Sequence, residues 1–257
     1  MASIPARTAQ RVARNMPKAR SEPAKEKVAS QNYIAHTEIP SVTCTERQRQ
    51  LIILDLNGTL VSKTGKAGMW VRPHYQDFLS YLFRNFEVCV WSSARQKTVK
   101  NMCQLFGDHK KQLSFIWSRE NMGLTKEEYF SNISTVKDLQ LVWKHYSKQA
   151  GSNIYNANNT ILLDDSITKA ILQPCNSIEI GTFNHKLSTT KINGDSELLD
   201  VINYLEKVQY QSNISNFFKE HPYETKPTYT AHDTNFQFTY YRFNSDYVMT
   251  EDSRKMS

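Results

Sequence analysis

Short apolar runs that end in polar residues recur three times along the chain and predict buried strands of a parallel sheet. The runs cover residues 51–54, 86–91 and 160–163, and the polar residues after them are Asp55, Ser92 with Ser93, and Asp164 with Asp165. Continuous apolar runs of this length are typical of strands that are covered on both faces. Because ligands of such sheets bind beyond the carboxyl ends of the strands, these polar residues are candidate functional groups.

Apolar residues at helical spacing lie between and after these runs and predict helices that face a core. The stripes fall at residues 75–83, 99–106, 139–146 and 198–208, and a further short strand is predicted at 178–180. Pro73 suits the first turn of the first of these helices. Strands that alternate with helices indicate an α/β fold with a central, mainly parallel sheet.

The two ends of the chain differ from this middle part. Residues 1–46 are polar and contain four prolines, which predicts a disordered basic N-terminal tail. Residues 47–221 carry the strand and helix patterns and form the predicted domain, whereas residues 222–257 are an extension rich in Tyr and Phe without periodicity. Its stretch 236–243 is compatible with an added strand, a partner-docking segment or an extension packed on the domain, and the sequence leaves these alternatives open.

The formal net charge of +7 is concentrated near the N-terminus. Residues 1–38 contain seven Lys or Arg and three Glu, so they carry +4 and the other 219 residues carry only +3. This distribution, together with the lack of an RNP-like pattern, predicts no specific nucleic-acid recognition. No stretch contains the roughly 20 consecutive apolar residues that a membrane helix needs, so no transmembrane anchor is expected.

Cysteine and histidine usage indicates an intracellular protein without structural zinc. The four cysteines form no C-x-x-C pair, and the seven histidines have no ligand spacing. We therefore expect reduced thiols and a location in the nucleus or the cytoplasm. A mitochondrial location is the alternative, because residues 1–20 contain five basic residues and no acid, as presequences do.

Four segments, in chain order, resemble the motifs of the haloacid-dehalogenase (HAD) phosphohydrolases. Residues 55–59 read Asp-Leu-Asn-Gly-Thr and resemble the first motif, Asp-x-Asp-x-Thr, with Asn57 in place of the second Asp. The later motifs are matched by Ser92, by Lys137 and by the pair Asp164 and Asp165. The resemblance implies a HAD-like Rossmannoid three-layer sandwich with a small flap after the first strand and an insertion before Lys137.

The resemblance also implies a role for each matched residue. The first Asp of the family attacks phosphorus, and the second protonates the leaving group and later activates water. The implied catalytic residues are Asp55, Asn57, Thr59, Ser92 and Lys137. The implied ligands of a Mg²⁺ cofactor are Asp55, the backbone carbonyl of Asn57, Asp164 and Asp165. The implied substrate-binding residues are Ser92, Ser93, Lys137 and Arg119.

Three further segments, at 71–79, 164–166 and 197–217, resemble the FCP1-homology branch of this superfamily, and the resemblance covers about residues 48–220. That branch contains Ser/Thr phosphatases of RNA polymerase II tails and of other proteins. It also contains the presequence-receptor subunit of the mitochondrial inner-membrane translocase, whose motifs are degraded. A phosphorylated protein is therefore the expected substrate or partner.

Asn57 keeps three hypotheses open. An amide has the shape of a carboxyl group but cannot exchange a proton near pH 7, and lost acid–base catalysis typically costs about 10²–10⁴-fold in rate. The first hypothesis is a Mg²⁺-dependent phosphatase that works slowly. The second is a pseudophosphatase that binds phosphopeptides or acts as a scaffold. The third is a mitochondrial import component similar to the translocase receptor.

Overall fold

A five-stranded parallel sheet forms the centre of the computed structural model, which describes residues 28–150, 154–186, 195–225 and 237–252. Its strands are β1 (Leu51–Leu54), β4 (Glu87–Trp91), β5 (Ile116–Trp117), β6 (Thr160–Asp164) and β7 (Ser177–Glu179). Their order across the sheet is β5-β4-β1-β6-β7, and every pair is parallel. The strands predicted from the apolar runs are thus present, with β1 in the middle.

Helices cover both faces of this sheet. They are α1 (Gln31–Thr37), α2 (Tyr75–Asn85), α3 (Gln96–Met102), α4 (Lys126–Phe130), α5 (Leu139–Ala150), α6 (Glu197–Val208) and α7 (Ile214–Glu220). Ile52 and Leu54 point to a core shared with α2, α3 and α6, whereas Leu51 and Ile53 point to a second core shared with α5. Because alternate residues of β1 are buried on opposite faces, the molecule has three layers. The predicted α/β HAD-like sandwich is confirmed.

The flap is part of a second, antiparallel sheet. It consists of β2 (Val61–Lys63), β3 (Gly68–Val71), β8 (Gln237–Arg242) and β9 (Val248–Asp252), in the order β2-β3-β8-β9. The aromatic segment near the C-terminus therefore supplies added strands, which is one of the three alternatives that the sequence left open. Gly68 permits this pairing, because a Cβ atom there would lie 2.2 Å from the Tyr241 carbonyl oxygen.

Residues 28–46 are folded onto the domain, so the domain begins earlier than the predicted boundary at residue 47. Ser30 caps α1 by accepting the Tyr33 N–H, and the buried Tyr33 hydroxyl donates to Asn176 Oδ1 at 3.0 Å. The Asn216 side chain donates to the Thr37 carbonyl, which ties α1 to α7. Disorder is thus the wrong prediction for residues 28–46, because a short polar helix is stabilised by partners far away in sequence. Residues 1–27 lie outside the described part of the chain.

None of the helices in the described ranges has the length and apolar content that spanning a membrane requires.

Candidate active site

The strand register brings the first and last motifs together. β1 and β6 pair with Leu54 opposite Leu163, so Asp55 and Asp164 follow side by side at the carboxyl edge of the sheet. The Asp55 N–H donates to the Leu163 carbonyl at 2.9 Å and continues the ladder by one bond. Both side chains are buried, and oxygens of Asp55, Asp164 and Asp165 lie within 4.8 Å of one another.

Lys137 joins the two buried carboxylates. Its ammonium donates to Asp55 Oδ1 at 2.8 Å and to Asp164 Oδ2 at 2.6 Å, and the side chain is fully buried. The Lys137 N–H donates to the Lys169 carbonyl at 2.8 Å, which fixes the extended segment before α5 to the turn after β6. A backbone contact that is remote in sequence therefore sets the position of the ammonium.

Burial and neighbouring charges act in opposite directions on these groups. Burial raises the pKa of Asp55 to about 7, although Lys137 pulls it down. Burial lowers the pKa of Lys137, but the carboxylates of Asp164 and Asp55 more than offset this and raise it. Burial and the nearby Asp164 also raise the pKa of Asp165. Three carboxylates thus face one lysine at short range, and the excess negative charge favours a bound cation.

The donor set fits Mg²⁺. Carboxylate and carbonyl oxygens are the ligands that this hard ion takes in proteins, and the acidic cluster supplies three carboxylates. The Asn57 backbone carbonyl accepts no hydrogen bond from the described residues, so its lone pairs are available. The residues that would hold the ion are therefore Asp55, Asp164 and Asp165, with the Asn57 carbonyl beside them.

A tight turn carries the rest of the first motif. Gly58 has φ +97°, and a Cβ atom there would lie 2.3 Å from Asp165 Oδ2, so only glycine lets the loop and the carboxylate approach this closely. The Asn57 side chain is exposed and accepts the Lys63 N–H at 3.3 Å. Thr59 is buried, but its hydroxyl finds no hydrogen-bond partner among the described residues.

A buried arginine supports this turn from behind. Arg72 donates to the Thr59 carbonyl at 3.1 Å, and its Nε lies 3.0 Å from both carboxylate oxygens of Asp195. Glu197 lies 3.9 Å from the same guanidinium and accepts the Tyr223 hydroxyl. Arg72 lies in the segment 71–79 that resembles the FCP1-homology branch, but its sequence context does not indicate this supporting role. Asp195 carried no local signal, because more than a hundred residues separate it from Arg72.

The remaining predicted site residues occupy different environments. Ser92 follows β4 and is buried, and its hydroxyl accepts the Ala94 N–H at 3.4 Å. Ser93 is half-buried beside it. The Arg119 guanidinium donates to the carbonyls of Glu128, Tyr129 and Ser131, and no hydrogen bond within the described ranges joins it to the acidic cluster. The structure therefore uses Arg119 to hold the insertion that contains α4.

Two residues near the cluster, Lys169 and Thr182, could not be recognised from the sequence. The half-buried Lys169 donates to the Thr135 hydroxyl at 2.9 Å, and burial lowers its pKa although Asp164 attracts the charge. The Thr182 hydroxyl donates to Asp165 Oδ2 at 2.9 Å, and the next residue, Phe183, donates its N–H to the Gly58 carbonyl. Neither residue lies in a motif, and only the folded arrangement brings them to the strand ends.

Comparisons of the sequence with known proteins identify its family. The sequence model of the NLI interacting factor-like phosphatases matches residues 50–215. An uncharacterised FCP1 homology domain-containing protein of Schizosaccharomyces pombe is 34% identical over 191 residues, which are 68% of this chain and 78% of that protein. The ubiquitin-like domain-containing CTD phosphatase 1 of Drosophila melanogaster is 23% identical over 70% of this chain and 55% of that protein.

The likeness to solved structures is weaker. The structure of Fcp1, an essential RNA polymerase II CTD phosphatase, is 14% identical, covers 72% of this chain and 58% of that chain, and has a TM-score of 0.38. This value adds nothing to the topology described above. The chain also spans only about half the length of the ubiquitin-like domain-containing CTD phosphatase 1 of Homo sapiens. That match covers 62% of this chain and 50% of that protein.

The resemblance drawn from the motifs is confirmed by these matches. Because the family match covers more than half of the chain and the fission-yeast relative is 34% identical across most of it, this protein belongs to the NLI interacting factor-like phosphatase family, the FCP1-homology branch of the HAD superfamily.

Proposed function

We propose that the protein is a Mg²⁺-dependent phosphatase of phosphorylated Ser or Thr residues in proteins, slowed by the amide at position 57. The observation that carries this proposal is the buried bridge in which Lys137 contacts both Asp55 and Asp164. A buried ammonium between two carboxylates at the strand ends is costly to build and supports a site for charged ligands. The similarity to proteins named CTD phosphatases supports the same substrate class.

Asp55 is the proposed nucleophile. An oxygen of its carboxylate forms a bond to phosphorus while the bond from phosphorus to the Ser or Thr oxygen breaks, which leaves an aspartyl-phosphate and an alkoxide that must take a proton. Water then attacks phosphorus and releases inorganic phosphate, and the Asp55 carboxylate is restored. Lys137 holds Asp55 in place, and with Ser92 it binds the non-reacting phosphate oxygens.

A bound Mg²⁺ ion would supply charge neutralisation for the phosphate. Asp164 and Asp165 would hold it, and Thr182 would orient Asp165 through the hydrogen bond described above. Gly58 lets the loop close over this carboxylate. The protein's own contribution is thus a preorganised cluster of oxygens at the sheet edge.

Asn57 limits the rate because it cannot protonate the departing alkoxide. Its side chain is exposed beside the flap and accepts the Lys63 N–H. A carboxylate has the same shape and can accept the same hydrogen bond, so Asp fits at this position without rearrangement. The proton for the leaving group must come from water in the natural sequence, which is least effective for alkyl leaving groups.

Paired assays of the wild type and Asn57→Asp test the proposal. With Mg²⁺ and a phosphoserine peptide, we expect turnover to rise about 10²-fold or more in Asn57→Asp, because general acid–base catalysis is restored. The matched control is Asn57→Asp with Asp55→Asn, which must lose the gained activity. A wild type that already matches Asn57→Asp would contradict the role given to Asn57. An inactive Asn57→Asp would contradict the phosphatase proposal.

Asn57 also favours a second candidate, a pseudophosphatase that binds phosphoproteins without turnover. An experiment on the wild type is enough to distinguish the two candidates. A pseudophosphatase binds a phosphoserine peptide in a Mg²⁺-dependent manner but never forms an aspartyl-phosphate. For the location we propose the nucleus or the cytoplasm, in line with the four free cysteines. The basic stretch behind the mitochondrial alternative lies outside the described residues.

A further inference from the structure

Two cavities flank α3 and share one of its lysines. The first has a volume of about 460 Å³ and lies between α3 and the edge strand β5. The second has a volume of about 420 Å³ and lies between α3 and the flap. The lysines that line them are Lys63, Lys66, Lys97, Lys100 and Lys110, and Lys97 lines both. We call the two cavities together the lysine groove.

The lysine groove carries an excess of positive charge. Among the residues that the structure describes, none of its five lysines forms an ion pair, and no Asp or Glu lines either cavity. The Glu120 carboxylate accepts the Gln96 N–H and the Ser118 hydroxyl, and both of these residues line the first cavity, so a single negative charge lies near five positive ones. Five ammonium groups in a concave surface attract and hold anions.

The lysine groove adjoins the candidate active site. Its flap end contains Lys63, whose N–H donates to the Asn57 side chain in the first motif. Its other wall, α3, begins at Gln96, four residues after Ser92 at the end of β4. A peptide that places a phosphorylated residue at Asp55 can therefore continue across the flap and along α3.

We propose that the lysine groove binds a second phosphorylated residue of the same protein substrate, so that the enzyme prefers multiply phosphorylated segments. This inference rests on the proposed phosphatase function. Phosphate is the strongest anionic partner that a peptide can offer to lysine, because each group carries nearly two charges and three acceptor oxygens. A nucleic acid fits less well, since the one aromatic lining residue, Phe243, is buried and offers no surface on which a base can stack.

Binding of matched peptides to the full chain tests this inference. The Asp55→Asn variant with Mg²⁺ prevents turnover, and fluorescence anisotropy compares a singly phosphorylated peptide with peptides that carry a second phosphoserine. The second phosphate is placed about three, five or seven residues to either side, which spans roughly 10–23 Å of extended chain. At the best spacing, we expect the second phosphate to tighten binding about tenfold at low salt, and the gain to shrink as salt is added.

The charge-neutral variant Lys97→Gln with Lys100→Gln should lose most of that gain. The matched control is Lys144→Gln with Lys148→Gln on α5, because these exposed lysines line another cavity, one that also contains Glu120. We expect the control to keep the preference. Retention of the preference in the Lys97→Gln, Lys100→Gln variant, or no gain at any spacing, would overturn the inference. Equally tight binding of an RNA oligonucleotide of the same charge would also overturn it.

The outcome is separable from the fate of the phosphatase proposal. Hydrolysis of a small aryl phosphate by Asn57→Asp needs only the cluster around Asp55 and does not extend into the lysine groove. Hydrolysis without any preference for doubly phosphorylated peptides overturns only the proposed role of the lysine groove. A preference for doubly phosphorylated peptides without hydrolysis supports the proposed role of the lysine groove and overturns the catalytic proposal.

Discussion

Replacing Lys137 by Met removes the charge at the centre of the site and keeps most of the side-chain volume. The ammonium is fully buried and contacts Asp55 Oδ1 at 2.8 Å and Asp164 Oδ2 at 2.6 Å. Without it, two buried carboxylates face each other with no cation between them. Removing one partner of a buried ion pair typically costs about 3–5 kcal/mol, so we expect metal-free Lys137→Met to lose about 3 kcal/mol of unfolding free energy at pH 8.

The pH dependence of this loss has a definite sign. The folded-state pKa of Asp55 is already raised from 3.8 to about 7, so the native protein binds a proton that the unfolded chain releases between these values. The contribution of Asp55 to the metal-free stability therefore falls as the pH rises from 4 towards 7. Loss of Lys137 raises this pKa further and extends the fall above pH 7. Acidification should then recover about 1.4 kcal/mol per pH unit for one additional bound proton.

Urea unfolding of wild type and Lys137→Met, with EDTA or with Mg²⁺, measures these effects. The difference between the two proteins should be largest with EDTA at pH 8, smaller at pH 6, and smaller with Mg²⁺, because the ion neutralises the same carboxylates and stabilises the folded state that binds it. Equal stability of the two proteins at pH 8 would refute the buried bridge. A difference that grows on acidification would refute the assignment of the charges.

The remaining predictions concern the surroundings of the cluster. Gly58→Ala should weaken Mg²⁺ binding about tenfold by calorimetry, because its Cβ meets Asp165 at 2.3 Å and φ is +97°; unchanged affinity would contradict the close approach. Lys169→Gln should raise KM for a phosphopeptide about fivefold with little change in kcat, since one cation near the phosphate is lost; a selective loss of kcat would instead indicate proton transfer. Tyr33→Phe should lower the unfolding free energy by about 1 kcal/mol through the lost bond to Asn176, and no change would mean that α1 does not dock.

Strand ends were predictable from the sequence because their signal is local. The apolar run before Asp55 and the run before Asp164 each carry enough information to define a buried strand, and parallel pairing then places both acids at one edge. The motif order added Lys137, whose segment before α5 has no secondary structure of its own. Its position depends on one backbone bond to Lys169, and no pattern encodes that bond.

Partners that are distant in sequence could not be predicted. The Arg72 guanidinium meets Asp195 across 123 positions, and Tyr33 meets Asn176 across 143. The pairing of β3 with β8 likewise joins residues 68–71 to residues 239–242, and the latter showed no periodicity. Such contacts depend on the packing of the whole domain. A short segment such as α1, whose hydrogen-bond partners are distant in sequence, therefore resembles a disordered polar tail when only its own sequence is considered.

Acid-quenched labelling of the wild type with an activated aryl phosphate tests the central claim most directly. The claim is that Asp55, Lys137 and the acidic pair form one Mg²⁺-dependent phosphoryl-transfer site. Because Asn57 cannot activate water, hydrolysis of the aspartyl-phosphate on Asp55 should be slow and the phosphoenzyme should accumulate. We therefore predict an acyl-phosphate on the Asp55 peptide with Mg²⁺, and none with EDTA or in Asp55→Asn. Label on another residue, or no label in the presence of Mg²⁺, would contradict the account.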